Sequence, residues 1–151
     1  MTETILRPAR AADAEALQSL YVRALTCVAP DRAMPRRPPD RLDLSRRVGP
    51  EDRILVADKA GQPVGFALLS PDGEITGPFV DPAFRRRGIG RMLAEGCEGD
   101  ARGLDAETLS VMADPAAAEF WRRLGFERAG DGRTAGGPAP RFAKRLRTAA
   151  H

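Results

Sequence analysis

The chain has 151 residues, of which 42% are hydrophobic and 30% are charged. This length fits one domain with a sizeable core, and the composition is typical of a soluble globular protein. A net charge of +3 and an aromatic content of 5% argue against a nucleic-acid partner, which requires a concentrated basic face with interleaved aromatic residues. No apolar run approaches the length of a membrane span, so we expect no membrane partner either.

Rare residue types limit the chemistry of the chain. The only histidine is the last residue, His151, so a Ser-His-Asp or Cys-His mechanism has no plausible histidine. The two cysteines, Cys27 and Cys97, lack metal-ligand spacing, and we expect no metal. Any general base must therefore be a carboxylate, a water chain or a thiolate. The N-terminus carries no apolar leader, so we expect a cytoplasmic location.

The first half of the chain predicts a strand, a helix, an irregular loop and three further strands. Leucines at three- and four-residue steps mark the helix that follows Asp13. The loop is rich in proline and arginine, and it is either a binding lid or a mobile linker. Hairpin-type turns separate the three strands. In order, these elements are Ile5–Pro8, Ala14–Leu25, the loop 27–50, Arg53–Asp58, Pro63–Ser70 and Glu74–Val80.

The second half of the chain alternates helices and strands. Gly96 and Gly99 weaken the first of these helices by about 1 kcal/mol each relative to alanine. Asp114 as N-cap and Pro115 at the first position mark the start of the second helix. The whole order predicts a mixed β-sheet with helices on its faces. The elements are a helix from Gly90 to about Arg102, strand Thr108–Met112, helix Pro115–Leu124, strand Phe126–Ala129, loop Asp131–Pro140 and strand Arg141–Leu146.

A turn with three arginines and two glycines, Arg85–Gly90, joins strand Glu74–Val80 to the next helix. A helix N-terminus has unpaired N–H donors and a partial positive charge. Gly88 and Gly90 lack Cβ atoms, so backbone amides can approach an anion closely, and arginines add forked donors for phosphate oxygens. The turn therefore predicts a pyrophosphate site, although it matches neither a P-loop nor a dinucleotide fingerprint. The alternative is an ordinary turn with solvated arginines.

The Gly77-Pro78 pair lies inside the predicted strand Glu74–Val80. Proline removes a ladder donor and is normally excluded from a central strand unless that strand bulges or splays from its neighbour. A splayed strand leaves free N–H and C=O groups along a cleft, and an amide-containing arm such as pantetheine could pair with them by strand addition. The pair therefore predicts a cleft at this strand.

These segments resemble two motifs of the GNAT superfamily of acetyl-CoA-dependent N-acetyltransferases. Val80–Gly90 matches the family's Val-x-Pro strand end followed by [Q/R]-x-x-G-x-[G/A], and Asp114–Phe126 matches its N-x-x-A-x-x-F-Y-x-x-L-G-F helix. The resemblance implies an α+β fold, with a central mixed β-sheet that is splayed in the middle and flanked by about four helices. It implies a single domain over residues 1–151. It also implies transfer of the acetyl group of acetyl-CoA to a primary amine, on a small molecule or a protein.

The resemblance assigns roles to individual residues. Backbone groups of β-strand residues would line the pantetheine and acetyl group, with Phe79 and Val80 as N–H donors to the thioester oxygen. Amides of the turn would hold the pyrophosphate. Trp121 stands where the family usually has a tyrosine that protonates the leaving thiolate, so it packs instead against the cofactor arm or the core. The implied cofactor-binding residues are Pro78, Phe79, Val80, Arg85, Arg86, Arg87, Gly88, Ile89, Gly90, Arg91, Asp114 and Trp121.

Two roles have structural alternatives. Asp114 stands where an asparagine often contacts the cofactor, but helix capping alone explains an aspartate there. Glu74 is the best candidate for the general base, acting through water, and its alternative is a solvated acid beside a turn. Strand alternation would place Glu74, Thr76, Pro78 and Val80 on one face.

Three interpretations of function follow from these features. The first is an active N-acetyltransferase, and the second is a non-catalytic acyl-CoA-binding or sensory module of the same fold, suggested by Trp121. The third is a basic nucleic-acid-binding domain, which the composition disfavours. Tyr21 has core spacing but could face the acceptor, and the pairs Arg36-Arg37 and Arg46-Arg47 would favour an anionic acceptor if they closed over the site. The oligomeric state stays open, with a homodimer as one alternative.

Overall fold

The computed structural model of the chain describes residues 3–26, 53–104, 106–113, 117–134 and 137–146. Within these residues, seven strands form one mixed sheet in the order β1-β2-β3-β4-β5-β7-β6. Only the pairing of β4 with β5 is parallel among the strand pairs of this part of the chain. The strands are β1 (Thr4–Pro8), β2 (Arg53–Lys59), β3 (Gln62–Leu69), β4 (Glu74–Val80), β5 (Thr108–Met112), β6 (Glu127–Thr134) and β7 (Gly137–Arg145).

Three α-helices flank this sheet in the described residues: α1 (Ala14–Thr26), α2 (Ile89–Gly103) and α3 (Ala118–Arg123). Helix α1 packs on β3 and β4, and helix α2 packs on β1 to β4 from the opposite side. We call these two sides of the sheet the α1 face and the α2 face. The α+β fold with a mixed sheet, expected from the sequence, is confirmed. No helix in the described ranges is long and apolar enough to cross a membrane.

Each face of the sheet has its own hydrophobic core. On the α1 face, Leu17 and Leu20 of α1 are fully buried against Phe66 and other side chains of β2 and β3. On the α2 face, the core gathers the apolar stripe of α2, the inward residues of β5 and β7, and Trp121 of α3. Strands β3 and β4 contribute to both cores, so they connect the two halves of the molecule.

Glycines let α2 lie close to the sheet. A Cβ atom at Gly65 of β3 would lie 2.9 Å from the Cγ2 atom of Ile89 and 3.2 Å from the carbonyl oxygen of Phe79. A Cβ atom at Gly96 of α2 would lie 2.5 Å from the Cδ2 atom of Leu55. Gly96 therefore lowers the intrinsic helix propensity of α2 but permits a close contact with β2.

One expectation from the sequence was wrong. The segment Asp131–Pro140 was expected to be a loop because of its glycine and proline content, yet β6 and β7 pair through it as an antiparallel hairpin. The pairing of β7 with β5 ends at Arg141, which pairs with Met112. Pro138 and Pro140 lie beyond this point, so on that side no paired strand requires the backbone N–H that proline lacks. A register shift between Arg128 and Asp131 accommodates Gly130, one of the two glycines of β6. Tertiary pairing therefore overrides local composition here.

A largely buried ionic cluster joins β1, the turn before α1, and β2. The guanidinium of Arg7 donates to Asp13 at 2.8 and 3.0 Å and to Asp58 at 2.8 Å. Asp13 also accepts the Arg10 N–H at 2.7 Å, and Asp58 accepts the Gly61 N–H at 2.7 Å. The hydrogen bonds from Arg7 hold the pKa of Asp13 below its ordinary value, against the opposing effect of burial.

We expect Arg7→Ala to lower the free energy of unfolding by about 3–5 kcal/mol at pH 7, because it leaves two buried carboxylates without their partner. Since the pKa of Asp13 is lower in the folded state, its ionisation stabilises the fold above its ordinary pKa of 3.8, and this contribution is lost as the pH falls below that value. Urea unfolding at pH 7 and near pH 3.5 should therefore show a smaller difference between variant and wild type in acid.

The control for this prediction is Arg123→Ala. Arg123 pairs with Glu119 across solvent, with side chains 78% and 67% exposed, so its loss should change stability by less than about 1 kcal/mol. Equal effects of the two substitutions would contradict the role assigned to the Arg7 cluster.

Candidate functional site

Strand β4 contains the bulge that its proline predicted. Thr76 pairs with Leu68 and Phe79 pairs with Phe66, so the Gly77–Pro78 pair lies opposite a single residue of β3. The peptide bond within that pair is cis. Because the bulge inserts one residue, it reverses the alternation of side chains along β4.

The bulge corrects an expectation about which residues share a face. Glu74 and Thr76 lie on the α1 face, as does Phe79, which packs on the core of that face. Val80 packs on the core of the α2 face, and the Pro78 ring lies beside Gly90 of α2. The expectation that Glu74, Thr76, Pro78 and Val80 share one face was therefore wrong, because simple alternation does not count the inserted residue.

Strands β4 and β5 diverge soon after they meet. Their parallel pairing comprises two residue pairs in the described chain, Glu74 with Ser110 and Ile75 with Val111. From Thr76 to Val80, β4 therefore has no strand partner on its β5 side among these residues. We call the space between this part of β4 and the end of β5 the gap. It is the splay that the sequence predicted.

The backbone of Val80 points into the gap. The N–H of Asp81 donates to the carbonyl of Val64 on β3 at 2.9 Å. Successive residues of a strand direct their backbone groups to opposite edges, so Phe79 also faces β3 whereas Val80 faces away from it. Of the two N–H donors implied by the family resemblance, Val80 is therefore the one oriented towards a ligand in the gap.

Helix α2 begins at the same gap. Its N-cap, Gly88, is left-handed with a φ of 81°, and the first helical bond runs from the N–H of Met92 to the Gly88 carbonyl at 3.0 Å. The N–H groups of Ile89, Gly90 and Arg91 precede that bond and are the helix's unpaired donors. A Cβ atom at Gly90 would lie 3.6 Å from the ring of Phe120 and 3.7 Å from that of Pro78. The start of α2, β4 and α3 therefore meet around one space.

The arginine side chains at this turn are exposed and point to several partners. Arg85 donates to a backbone carbonyl of α1 at 3.3 Å, and Arg91 pairs with a glutamate one turn later at 2.9 Å. The guanidinium of Arg87 lies 5.4 Å from the centre of an aromatic ring, and Arg86 has a left-handed φ of 63°. The backbone donors are thus fixed by the helix, whereas phosphate contacts by these four side chains stay a prediction.

Trp121 lies in the core. Its side chain is 2% exposed, and its ring packs edge-on against Phe120 at 5.0 Å and near-edge-on against Phe126 at 4.9 Å. Of the two contacts predicted for Trp121, the structure shows the core contact, and the cofactor contact stays a prediction. Asp114 lies outside the described residues, as do the start of the predicted helix Pro115–Leu124 and the loop 27–50 with its paired arginines.

Glu74 is half-buried at the start of β4, where its N–H donates to the hydroxyl of Ser70 at 3.0 Å. Glu74 lies opposite Ser70 and Val80 lies opposite Gly65. Ser70 and Gly65 are five residues apart along the chain. At a strand rise of about 3.4 Å per residue, the backbone of Glu74 therefore lies about 17 Å from the backbone of Val80. Glu74 can therefore reach a reacting group at Val80 only through intervening water or a long acceptor.

Two further titratable side chains of the described residues bear on the choice of a general base, Cys97 of α2 and Asp81 after β4. Burial raises the pKa of the Cys97 thiol to about 12, with a smaller contribution from Asp100, so Cys97 stays protonated at neutral pH. Asp81 accepts the Ala83 N–H at 3.0 Å and pairs with Arg23 at 2.8 Å. Burial opposes the ionisation of Asp81, but these two donors outweigh it and hold its pKa below the usual range. In the described ranges, no three His, Cys, Asp or Glu side chains cluster to hold a metal.

Comparison with known proteins identifies the family. A family model described as "Acetyltransferase (GNAT) domain" matches residues 39–138. The chain belongs to the GNAT family of acetyltransferases. The family resemblance inferred from the two motifs is thereby confirmed. The candidate site of this GNAT chain lies where β4 and β5 diverge and where α2 begins.

Individual relatives agree with this assignment. The chain is 29% identical to serotonin N-acetyltransferase 2, chloroplastic, of Oryza sativa subsp. japonica over an alignment of 130 residues, and the match covers 81% of this chain and 60% of that protein. The chain thus spans about three fifths of that relative. A GCN5-related N-acetyltransferase structure from Rhodopseudomonas palustris superposes with a TM-score of 0.83 at 25% identity, covering 97% of this chain and 98% of that one.

A third comparison concerns a structure with a bound ligand. A putative acetyltransferase from Salmonella typhimurium, solved with its cofactor acetyl-CoA, matches with a TM-score of 0.73 at 20% identity. The match covers 99% of this chain and 97% of that one, and it shows a shared fold.

Phe120 is a site residue that the sequence analysis did not single out. It belongs to the second family motif, and its ring forms one wall beside Gly90 and Pro78. Its position within the predicted helix Pro115–Leu124 does not specify which neighbour it contacts, since that contact depends on how α3 sits against α2.

We expect Gly88→Val to weaken coenzyme A binding at least 10-fold, because a β-branched residue strongly disfavours the left-handed φ at the start of α2. Isothermal calorimetry with coenzyme A measures the effect. The matched control is Gly103→Ala at the other end of the same helix, where an added Cβ would have no atom within 4 Å. This variant should bind coenzyme A with wild-type affinity. Unchanged affinity in Gly88→Val would contradict a phosphate site at this turn.

Proposed function

We propose that this protein is an acetyl-CoA-dependent N-acetyltransferase that moves an acetyl group to a primary amine of a small molecule or a protein. The observation that carries the proposal is the gap beside β4, with the Val80 N–H directed into it and the free N-terminus of α2 at its end. Membership of the GNAT family and the acetyl-CoA bound to the Salmonella typhimurium relative support the same function.

The residues around the gap fit acetyl-CoA. The unpaired N–H groups of Ile89, Gly90 and Arg91 suit the pyrophosphate. The open edge of β4 from Thr76 to Val80 suits the amides of the pantetheine arm, where proline offers only its carbonyl. Acetyl-CoA supplies an activated acyl group when it is bound, and the chain supplies its orientation.

The chain contributes to acyl transfer mainly through backbone polarity. The Val80 N–H is directed to where negative charge develops on a thioester oxygen, and a fixed donor there needs little reorganisation. The α2 N-terminus lies on the α2 face of the sheet, so the acceptor amine would approach from the α1 face. Tyr21 and Phe79 pack edge-on at 4.9 Å and form part of the α1-face wall beside the gap.

Proton transfer has few protein candidates. We propose Glu74, on the α1 face, as the general base, acting through ordered water because of its distance from Val80. Trp121 carries only an indole N–H and is buried, so solvent is the proton source for the leaving thiolate in this proposal. The high pKa of Cys97 and its burial in α2 argue against a thiolate base.

The second candidate function is a non-catalytic acyl-CoA-binding module. Trp121 favours it, because it occupies the position of the family tyrosine and lies in the core. Both functions predict that coenzyme A protects the fold against heat. Only the enzyme releases thiol from acetyl-CoA steadily when an amine is added.

The test is an acetyl-CoA thiol-release screen over amino acids, polyamines, arylalkylamines and peptide amines, with mass spectrometry of the products. We expect amine-dependent thiol release and an N-acetylated product for at least one class. Tight coenzyme A binding without turnover on any class would favour the non-catalytic module instead.

We expect Glu74→Gln to lower kcat by about 100-fold or more, with little change in the KM of acetyl-CoA. Glu107→Gln, an exposed acid before β5, is the matched control and should leave kcat unchanged. Full turnover in the Glu74 variant would remove this residue from the mechanism.

The cytoplasmic location, the single-domain organisation and a homodimer stay predictions. Cell fractionation, limited proteolysis and light scattering of the purified protein would test them in turn.

A further inference from the structure

The α1 face of the sheet continues past α1 onto β5 and β7. Leu109 and Val111 of β5 are buried in the core of the α2 face, so Ser110 and Met112 lie on the α1 face. Arg141 of β7 pairs with Met112, so it lies on that face too. Helix α1 covers β3 and β4, and the side chains of Ser110, Met112 and Arg141 are only half-buried.

Arg141 has an unusual environment for a half-buried cation. Its Nη1 atom donates to the hydroxyl of Ser110 at 3.3 Å. Within the described residues this is its only hydrogen bond, and no carboxylate there lies within ion-pair distance of it. A guanidinium has five N–H donors, and partial burial with one neutral partner leaves its charge poorly compensated. Such a group is suited to an anionic ligand.

The position of Arg141 relates it to the gap. Its partner Met112 is the first residue of β5 beyond the last β4–β5 pair, which is where the gap opens. The neighbouring Ser110 pairs with Glu74 of β4, so a cation and a carboxylate lie on adjacent parts of the same face. This face is the side from which an acceptor would approach, opposite the start of α2.

We propose that Arg141 selects amine acceptors that also carry a carboxylate, which it binds with its free donors while Ser110 holds the guanidinium. This inference rests on the proposed acetyltransferase function and names the substrate class of the same site. Arg141 acts on acceptor binding and takes no part in proton transfer.

The experiment measures thiol release with matched acceptors. The series comprises amino acids of increasing length with a terminal amine, their primary amides and aminoalkyl phosphates. We expect carboxylates to exceed their amides in kcat/KM by about 10- to 100-fold, as for a hydrogen bond between charged groups. The chain length at which this preference peaks measures the spacing between Arg141 and the reacting amine.

Variants assign the preference to Arg141. Arg141→Ala should lower kcat/KM for the best carboxylate about 10- to 100-fold, mainly by raising KM, with a several-fold smaller loss for its amide. Arg141→Lys should recover part of the loss, since lysine keeps the positive charge but lacks the paired N–H donors of the guanidinium. The matched control is Arg145→Ala, which lies four residues farther along β7 at an exposed position on the same face and should keep the wild-type preference.

Calorimetry gives a readout that does not depend on turnover. The best carboxylate should bind the wild-type protein saturated with coenzyme A, and Arg141→Ala should lose this binding while it keeps coenzyme A affinity and thermal stability.

Four outcomes would overturn the proposal: equal losses for carboxylate and amide in Arg141→Ala, an amide preference in the wild type, a phosphate preference over carboxylate, or loss of the preference in Arg145→Ala. Turnover of neutral amines alongside any of these would leave the acetyltransferase function intact. Absence of turnover on every amine would instead count against that function and the inference together.

Discussion

The molecule depends on a break in hydrogen bonding between two adjacent strands. If β4 and β5 paired along their whole length, the backbone N–H and C=O groups between them would be hydrogen-bonded to each other. None of these groups would then be left to bind a ligand. The extra residue at Gly77–Pro78 bends β4, and its pairing with β5 lasts for only two residues. The rest of the fold compensates for this break with a fully buried core on each side of the sheet. The proposed binding surface thus arises because β4 lacks a strand partner on one edge, and it does not require special side chains.

The sequence predicts the regular parts of this fold well. Strands β4 and β5 begin and end where alternation and turn residues placed them, and α1 and α2 differ by one residue or so at their ends. These elements have strong local signals, namely hydrophobic periodicity and glycine or proline at their boundaries. The β6–β7 hairpin was missed because its strands depend on pairing partners that lie far along the chain or in the turn between them.

The candidate site is likewise predictable from the sequence only in part. The presence of a bulge and a splay follows from one proline in a strand, so the sequence shows both. The faces on which Glu74 and Val80 lie do not follow, because they depend on which residue is inserted, and no local pattern specifies that. Likewise, nothing in the sequence distinguishes Arg141 from the other arginines. Only the register of β7 shows that it lies beside Ser110 and the gap. Long-range pairing, which the sequence does not show, converts ordinary residues into site residues.

The separation of the two cores has an evolutionary consequence. Helix α2 lies so close to the sheet at Gly65 and Gly96 that a larger residue at either position would displace this helix and the turn at its start. The half-buried side chains of Ser110 and Arg141 lie on the other face of the sheet and do not contact α2, so they can change with less effect on that helix. Under the proposed function, related chains could therefore change their acceptor while they keep the same acyl donor.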